Sequence, residues 1–138
     1  LTQLACAYEF VLIDNRAYFY MDMTYKNVYA FMTKLTAKIE LQDDFSSSTP
    51  VALIGKINMD SNVPATPGMT GVFTGNSVAN IYTRKHLLYN VLASRYDYVD
   101  ADTEEQIKQT DEFEEMLCYP NAGSIKTING VIVVKFSD

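Results

Sequence analysis

Residues 4–39, LACAYEFVLIDNRAYFYMDMTYKNVYAFMTKLTAKI, decide the fold. Leu4, Ala7, Val11, Asp14, Tyr18, Met21, Tyr25, Val28, Met32, Leu35 and Ile39 recur at alternating steps of three and four, the seam that an α-helix turns toward one partner surface. Only Asp14 interrupts that seam, and the span holds neither Pro nor Gly, so nothing forces a break. Such a helix is about 54 Å long. It overhangs the domain, bends near Asp14-Asn15-Arg16, or continues from a preceding segment. Residues 18–39 are expected to lay an apolar stripe on a sheet. Residues 4–13 are apolar nearly all round, with Glu9 the one charge, which suits a buried or membrane-proximal segment.

Beyond Glu40 the punctuation changes. Gln42-Asp43-Asp44-Phe45-Ser46-Ser47-Ser48-Thr49-Pro50 is a connector, ended by the restriction that Pro50 places on Thr49. Val51-Ala52-Leu53-Ile54-Gly55 then reads as a strand buried on both faces. Residues 56–75 carry Pro64, Pro67, Gly68, Gly71 and Gly75 among Asn, Asp, Ser and Thr. A loop of that length inside a small domain is functional or poorly ordered. Asn76 or Ser77 can cap a helix carrying Val78, Ile81, Leu88, Val91 and Leu92, or two short helices split near residues 83–85. Tyr96-Asp97-Tyr98-Val99 alternates and offers a short strand. A capping box, Asp102 to Glu105 or Thr103 to Gln106, opens a helix with Ile107, and a further turn carries Phe113, Met116 and Leu117. At the end, Ser124–Ile128 and Val131–Phe136 flank Asn129-Gly130. That arrangement predicts a β-hairpin with a type I′ turn, because Asn and Gly accept positive φ at both central positions.

The 138 residues, 48% apolar, allow one core. A net charge of −6 with eleven scattered basic residues excludes a phosphate-binding surface, so no nucleic-acid partner is expected. Ten Tyr and seven Phe with no Trp make the interior aromatic-rich. No run of about 20 apolar residues is present. There is no basic n-region followed by a cleavage motif either. The chain opens at Leu1 rather than Met, and a fragment of a longer protein is the expectation. Cys6 and Cys118 are expected to be two buried free thiols, with pairing left open.

Most chemical templates fail. His86 is the only histidine, so no metal site is expected. No G-x-S-x-G elbow marks a nucleophile, and neither dinucleotide nor P-loop fingerprint follows Gly55. No cofactor is expected. Asp97, Asp100, Asp102, Glu104, Glu105, Asp111, Glu112, Glu114 and Glu115 oppose a single Lys108. Asp100-x-Asp102-x-Glu104 resembles half of a calcium loop, but Glu105 stands where that loop needs Gly. The acids are better placed near helix N-termini, facing water. For ligand contact the preferred stretch is 58–76, with Thr70, Thr74 and Asn76 as polar contacts. No residue is assigned a catalytic role.

Several segments, taken together, resemble a known domain. They are Leu35-Thr36-Ala37-Lys38-Ile39-Glu40, similar to an L-x-x-R-I-E turn, and Thr49-Pro50-Val51-Ala52-Leu53-Ile54-Gly55. They continue with Glu112-Phe113-Glu114-Glu115-Met116, Tyr119-Pro120, Gly123-Ser124-Ile125-Lys126, and Asn129-Gly130 with the run to Lys135. The order resembles the soluble C-terminal domain of bacterial multi-span membrane glucosyltransferases, the O-antigen glucosyltransferase-like family, over residues 15–136. Lys38 stands where an Arg is usual, and Leu117-Cys118 before Tyr119-Pro120 also departs from the pattern. The resemblance implies that the long helix continues from a last transmembrane span. It also implies a parent that moves glucose from a polyprenyl-phosphate donor to a cell-envelope glycan on the outer face of the cell membrane. In that family the catalytic carboxylates belong to the membrane part, so none is placed on this chain.

The expected fold is therefore α/β. Residues 1–40 form a long helix, and residues 41–138 a single domain packed on it. That domain holds a small mixed sheet with a C-terminal β-hairpin and two or three shorter helices. The expected function is an extracytoplasmic accessory domain whose partners are its own transmembrane portion and a glycan acceptor. Two alternatives stand beside it. One is an interaction module that forms a homodimer through the N-terminal helix. The other is a stand-alone carboxylate enzyme acting on glycans with the acids of residues 97–105.

Overall fold

The computed structural model describes residues 2–57 and 81–137. The chain divides into two compact units, residues 1–31 with 58–77 and residues 32–57 with 78–138.

The helix α1 runs unbroken over Thr2–Glu40, as a span without Pro or Gly should. In the first unit it buries Tyr20, Thr24 and Val28, one turn apart, while Tyr18 and Tyr25 are exposed. The expected seam is therefore displaced upstream of Val28. The error has a physical source. Aromatic and apolar residues occupy more than one face of residues 18–29, so spacing alone could not choose among them. The first five turns bury no residue fully: Leu12 and Ala17 are half-buried, and Leu4, Phe10, Val11 and Phe19 are 75, 68, 56 and 60% exposed.

In the second unit the stripe continues as expected through Met32, Leu35 and Ile39, all fully buried. After Glu40 the Gln42 side-chain amide donates to the Lys38 carbonyl at 3.0 Å. That bond satisfies one of the orphan acceptors of the last turn. The connector folds on itself: the Ser46 N–H donates to Thr49 Oγ1 at 2.9 Å, and Thr49 Oγ1 donates to the Asp44 carbonyl at 3.1 Å.

The sheet has four strands in the order β2-β1-β4-β3. They are β1 (Pro50–Ile54), β2 (Asp97–Tyr98), β3 (Ile125–Ile128) and β4 (Val131–Lys135). β1 pairs in parallel with both β2 and β4, and β3 pairs antiparallel with β4. The expected hairpin is present in the expected register, Ile128 opposite Val131. Asn129 and Gly130 carry φ of 53° and 78°, the positive values a type I′ turn requires. The class is α/β with a mixed sheet, as the sequence predicts.

Both central strands are buried on both faces, which explains their unbroken Val, Ile and Leu runs. On one face Ala52, Ile54, Val131 and Val133 pack with Ile107, Phe113, Met116 and Ile128. By strand alternation the other face presents Val51, Leu53, Ile132 and Val134. Met32, Leu35, Ile39, Leu87 and Leu88 are buried helical residues of this unit that remain to cover it.

The helix α2 (Ile81–His86) passes directly into a π-helical turn, Leu87–Val91. The Leu92 N–H donates to the Leu87 carbonyl at 3.1 Å. The interrupted periodicity there reflects a change of winding rather than two separate helices. The expected caps at Asn76 or Ser77 lie outside the described residues. The helix α3 (Ala101–Lys108) starts two or three residues earlier than expected, because Asp100 and not Asp102 or Thr103 accepts the first-turn N–H. α4 (Asp111–Glu114) is capped by Thr110.

Candidate functional site

Thr70, Thr74 and Asn76, the residues preferred for ligand contact, lie outside the described residues. The other sequence-derived candidates are placed clearly. Asp100 is the N-cap of α3: its carboxylate accepts the Thr103 N–H at 2.8 Å. The hydrogen bonds from Thr103 hold its carboxyl below the usual range. Asp102 and Glu104 lie in the first turn of α3, and Asp111, Glu112 and Glu114 in the first turn of α4. There they favour the positive end of each helix dipole. Lys108 Nζ lies 3.2 Å from both Glu104 and Glu105. Desolvation lowers the Lys108 pKa, but these two carboxylates outweigh it and the net direction is upward. No group of three or more His, Cys, Asp or Glu suited to a metal ion occurs among the described residues.

His86 ends α2 on the surface, its Nδ1 3.0 Å from the Asn90 amide. Both cysteines are free; Cys6 is exposed and Cys118 half-buried, so the expectation of two buried thiols fails for Cys6. No described helix is long and apolar enough to cross a membrane.

Sequence reasoning missed a constellation in the second unit, where the last turn of α1 meets the segment before β3. Lys38 Nζ stands 4.9 Å above the Tyr119 ring centroid and donates to the Pro120 carbonyl at 3.3 Å. The Tyr119 ring meets Phe136 edge-on at 6.0 Å. Beside this contact lies an open depression of about 240 Å³, lined by Lys38, Leu41, Gln42, Asn121, Ala122, Gly123, Ser124 and Ile125. Its polar groups are turned inward: the Asn121 amide donates to the Cys118 carbonyl at 2.9 Å, and the Ser124 hydroxyl to the Asn121 carbonyl at 2.7 Å. The cis Tyr119–Pro120 bond sits at its edge. Residues 35–40 and 119–126 thus touch through Lys38. With the Ser124 hydroxyl engaged, the arrangement offers packing and capping rather than a nucleophile with its base.

A second cluster joins the end of α1 to β2. The Tyr96 hydroxyl donates to Glu40 Oε1 at 3.2 Å, and its ring lies edge-on to Phe45 and Tyr98 at 6.1 and 6.3 Å. Burial pushes the Tyr96 hydroxyl up to about 12 and that of Tyr98 higher still. Both stay protonated at neutral pH.

Comparisons with protein-family models, with curated proteins and with solved structures each return no match.

Proposed function

We propose that this chain is the extracytoplasmic accessory domain of a membrane-bound glucosyltransferase, one that moves glucose from a polyprenyl-phosphate donor to a cell-envelope glycan. In this reading the domain is not itself catalytic. It holds the transmembrane portion in place or presents the acceptor glycan, at the outer face of the cell membrane.

The observation that carries the reading is the change of character along α1. From Leu4 to Phe19 large apolar side chains stand exposed around the helix, Phe10 and Ile13 on different sides from Leu4 and Val11. From Tyr20 onward one stripe is buried. Exposed apolar surface of that extent marks a segment that belongs against lipid or protein. The resemblance of residues 15–136 to that family's C-terminal domain favours the same reading.

The test is the coding sequence upstream of Leu1. About eight or more apolar spans of about 20 residues, the last running into α1, are expected. A start codon immediately before Leu1 would overturn the proposal.

A further inference from the structure

We infer that α1 pairs, parallel and in register, with α1 of a second copy of this chain. The pairing surface is an exposed seam distinct from the stripe the helix buries against its own fold. Leu4, Tyr8, Val11, Asn15, Tyr18, Asp22, Tyr25 and Tyr29 follow one another at strict steps of four and three. That is a heptad repeat, with Leu4, Val11, Tyr18 and Tyr25 at d and Tyr8, Asn15, Asp22 and Tyr29 at a. All eight are exposed. The next d position, Met32, is fully buried, so the seam stops where the helix enters the second unit.

A second copy fits this face by area. The six apolar and aromatic members are 43 to 75% exposed. At the usual size of such side chains they offer about 700 Å² per chain, close to the 800 Å² or so that each partner of a stable complex contributes. Chemistry points the same way. A single Asn at an a position favours a parallel, in-register pair, because the two amides then meet each other. Asp22 enters the seam with its counterion, since Lys26 Nζ lies 2.6 Å from its carboxylate. Tyr25 and Tyr29 already stack, with ring centroids 6.3 Å apart. Lipid fits the seam less well. Asn15 and Asp22 stand inside it, and Leu4 to Tyr29 spans about 38 Å, beyond the 30 Å or so of a bilayer's hydrocarbon. Phe10 and Ile13 lie off the seam and stay uncovered by the pairing.

The inference does not depend on the proposed membrane tether, because a free and a tethered chain would present the same seam. It is tested on the full chain carrying Cys6→Ser and Cys118→Ser, by analytical ultracentrifugation and by mild oxidation. A dimer is expected. Adding Asn15→Cys should give rapid disulfide cross-linking. Adding Ile13→Cys instead places a thiol on the far side, and cross-linking should be at least about tenfold slower. Tyr18→Glu with Tyr25→Glu should weaken pairing by about 100-fold while leaving the thermal unfolding of the monomer unchanged, since both side chains are exposed. A chain that stays monomeric at high concentration would overturn the inference. So would equal cross-linking at positions 13 and 15, or a monomer that binds phosphatidylglycerol–phosphatidylcholine vesicles through Tyr18 and Tyr25.

Discussion

Arg84 and Gly55 are joined at the end of β1, where the Arg84 guanidinium donates to the Gly55 carbonyl at 2.8 Å and to the Leu53 carbonyl at 3.3 Å. The guanidinium also lies over the Phe136 ring, 5.3 Å from its centroid. Arg84 is buried, and desolvation lowers its pKa while Glu104 acts in the opposite direction. Its forked donors satisfy two carbonyls at the end of β1. Arg84→Met should therefore cost about 3 kcal/mol, since charge-assisted bonds are lost and two acceptors are left without these donors. Arg84→Lys should recover only part of that, because an ammonium has no fork. Urea unfolding of the three proteins gives the comparison.

Gly55 itself makes a sharper demand. Its φ is +94°, and a Cβ there would lie 2.5 Å from the Ser137 backbone nitrogen and 2.6 Å from its carbonyl oxygen. That close approach brings Lys56 N–H within 2.9 Å of Ser137 Oγ, which accepts its hydrogen bond. Gly130 has a similar φ of +78° but open space around it. Gly130→Ala should cost only the left-handed penalty, about 1 kcal/mol. Gly55→Ala should cost more than about 3 kcal/mol, because backbone must move as well. Equal losses in the two variants would show that the contact with Ser137 yields easily.

Much of this fold is written in local pattern. Asn129-Gly130 between two β-rich runs can close only one way, and the unbroken Val51–Ile54 run marks a strand covered on both faces. Other features depend on partners that local sequence does not name. Tyr18 and Tyr25 looked as suitable for the core as Tyr20, because tyrosine serves either side of a surface. Arg84 and Lys38 gave no signal, since their acceptors are backbone carbonyls that any residue supplies. The depression beside Lys38 arises from segments more than 80 residues apart.

Asp100 links helix stability to pH. Its folded pKa is depressed by the hydrogen bonds from Thr103. A depressed carboxylate stabilises the fold above its unfolded pKa, near 3.9. That contribution disappears as pH falls through the folded value. Asp100→Ala should lower the Tm at pH 7, and its difference from wild type should shrink below about pH 4. Asp100→Asn keeps a capping oxygen at every pH, so its Tm should fall less steeply with acid. Acid profiles of both variants that ran parallel to the wild type's would sink the assignment.

Tyr96 and Tyr98 are neighbours with opposite needs. The Tyr98 hydroxyl is buried without a hydrogen-bond partner among the described residues, while that of Tyr96 reaches Glu40. Tyr98→Phe should be neutral or stabilise by about 1 kcal/mol, because it removes an unsatisfied group. Tyr96→Phe should destabilise by about 1 kcal/mol through the lost bond. Lys85 Nζ, 4.5 Å from the Tyr98 ring centroid, keeps its aromatic partner in the Phe variant. Chemical denaturation at pH 7 distinguishes the signs.

Lys135 is the least expected residue of the sheet, a lysine 3% exposed at the end of β4. Its Nζ donates to the Phe113 and Glu114 carbonyls at 3.3 and 3.4 Å and lies 4.8 Å from the Phe113 ring centroid. The ammonium therefore sits at the carbonyl end of α4, where the helix dipole favours a cation. Lys135→Met keeps the volume and removes the desolvation penalty of the charge, but leaves these carbonyls without their donor. The net cost should be about 1–2 kcal/mol. Lys135→Ala adds a cavity and should cost about 3 kcal/mol. Lys135→Glu would aim a buried carboxylate at those same oxygens and should not fold. The loss in Lys135→Met should also be the same in low and high salt, because a contact buried this deeply is scarcely screened. A loss that vanished in 1 M salt would place the ammonium at the surface instead.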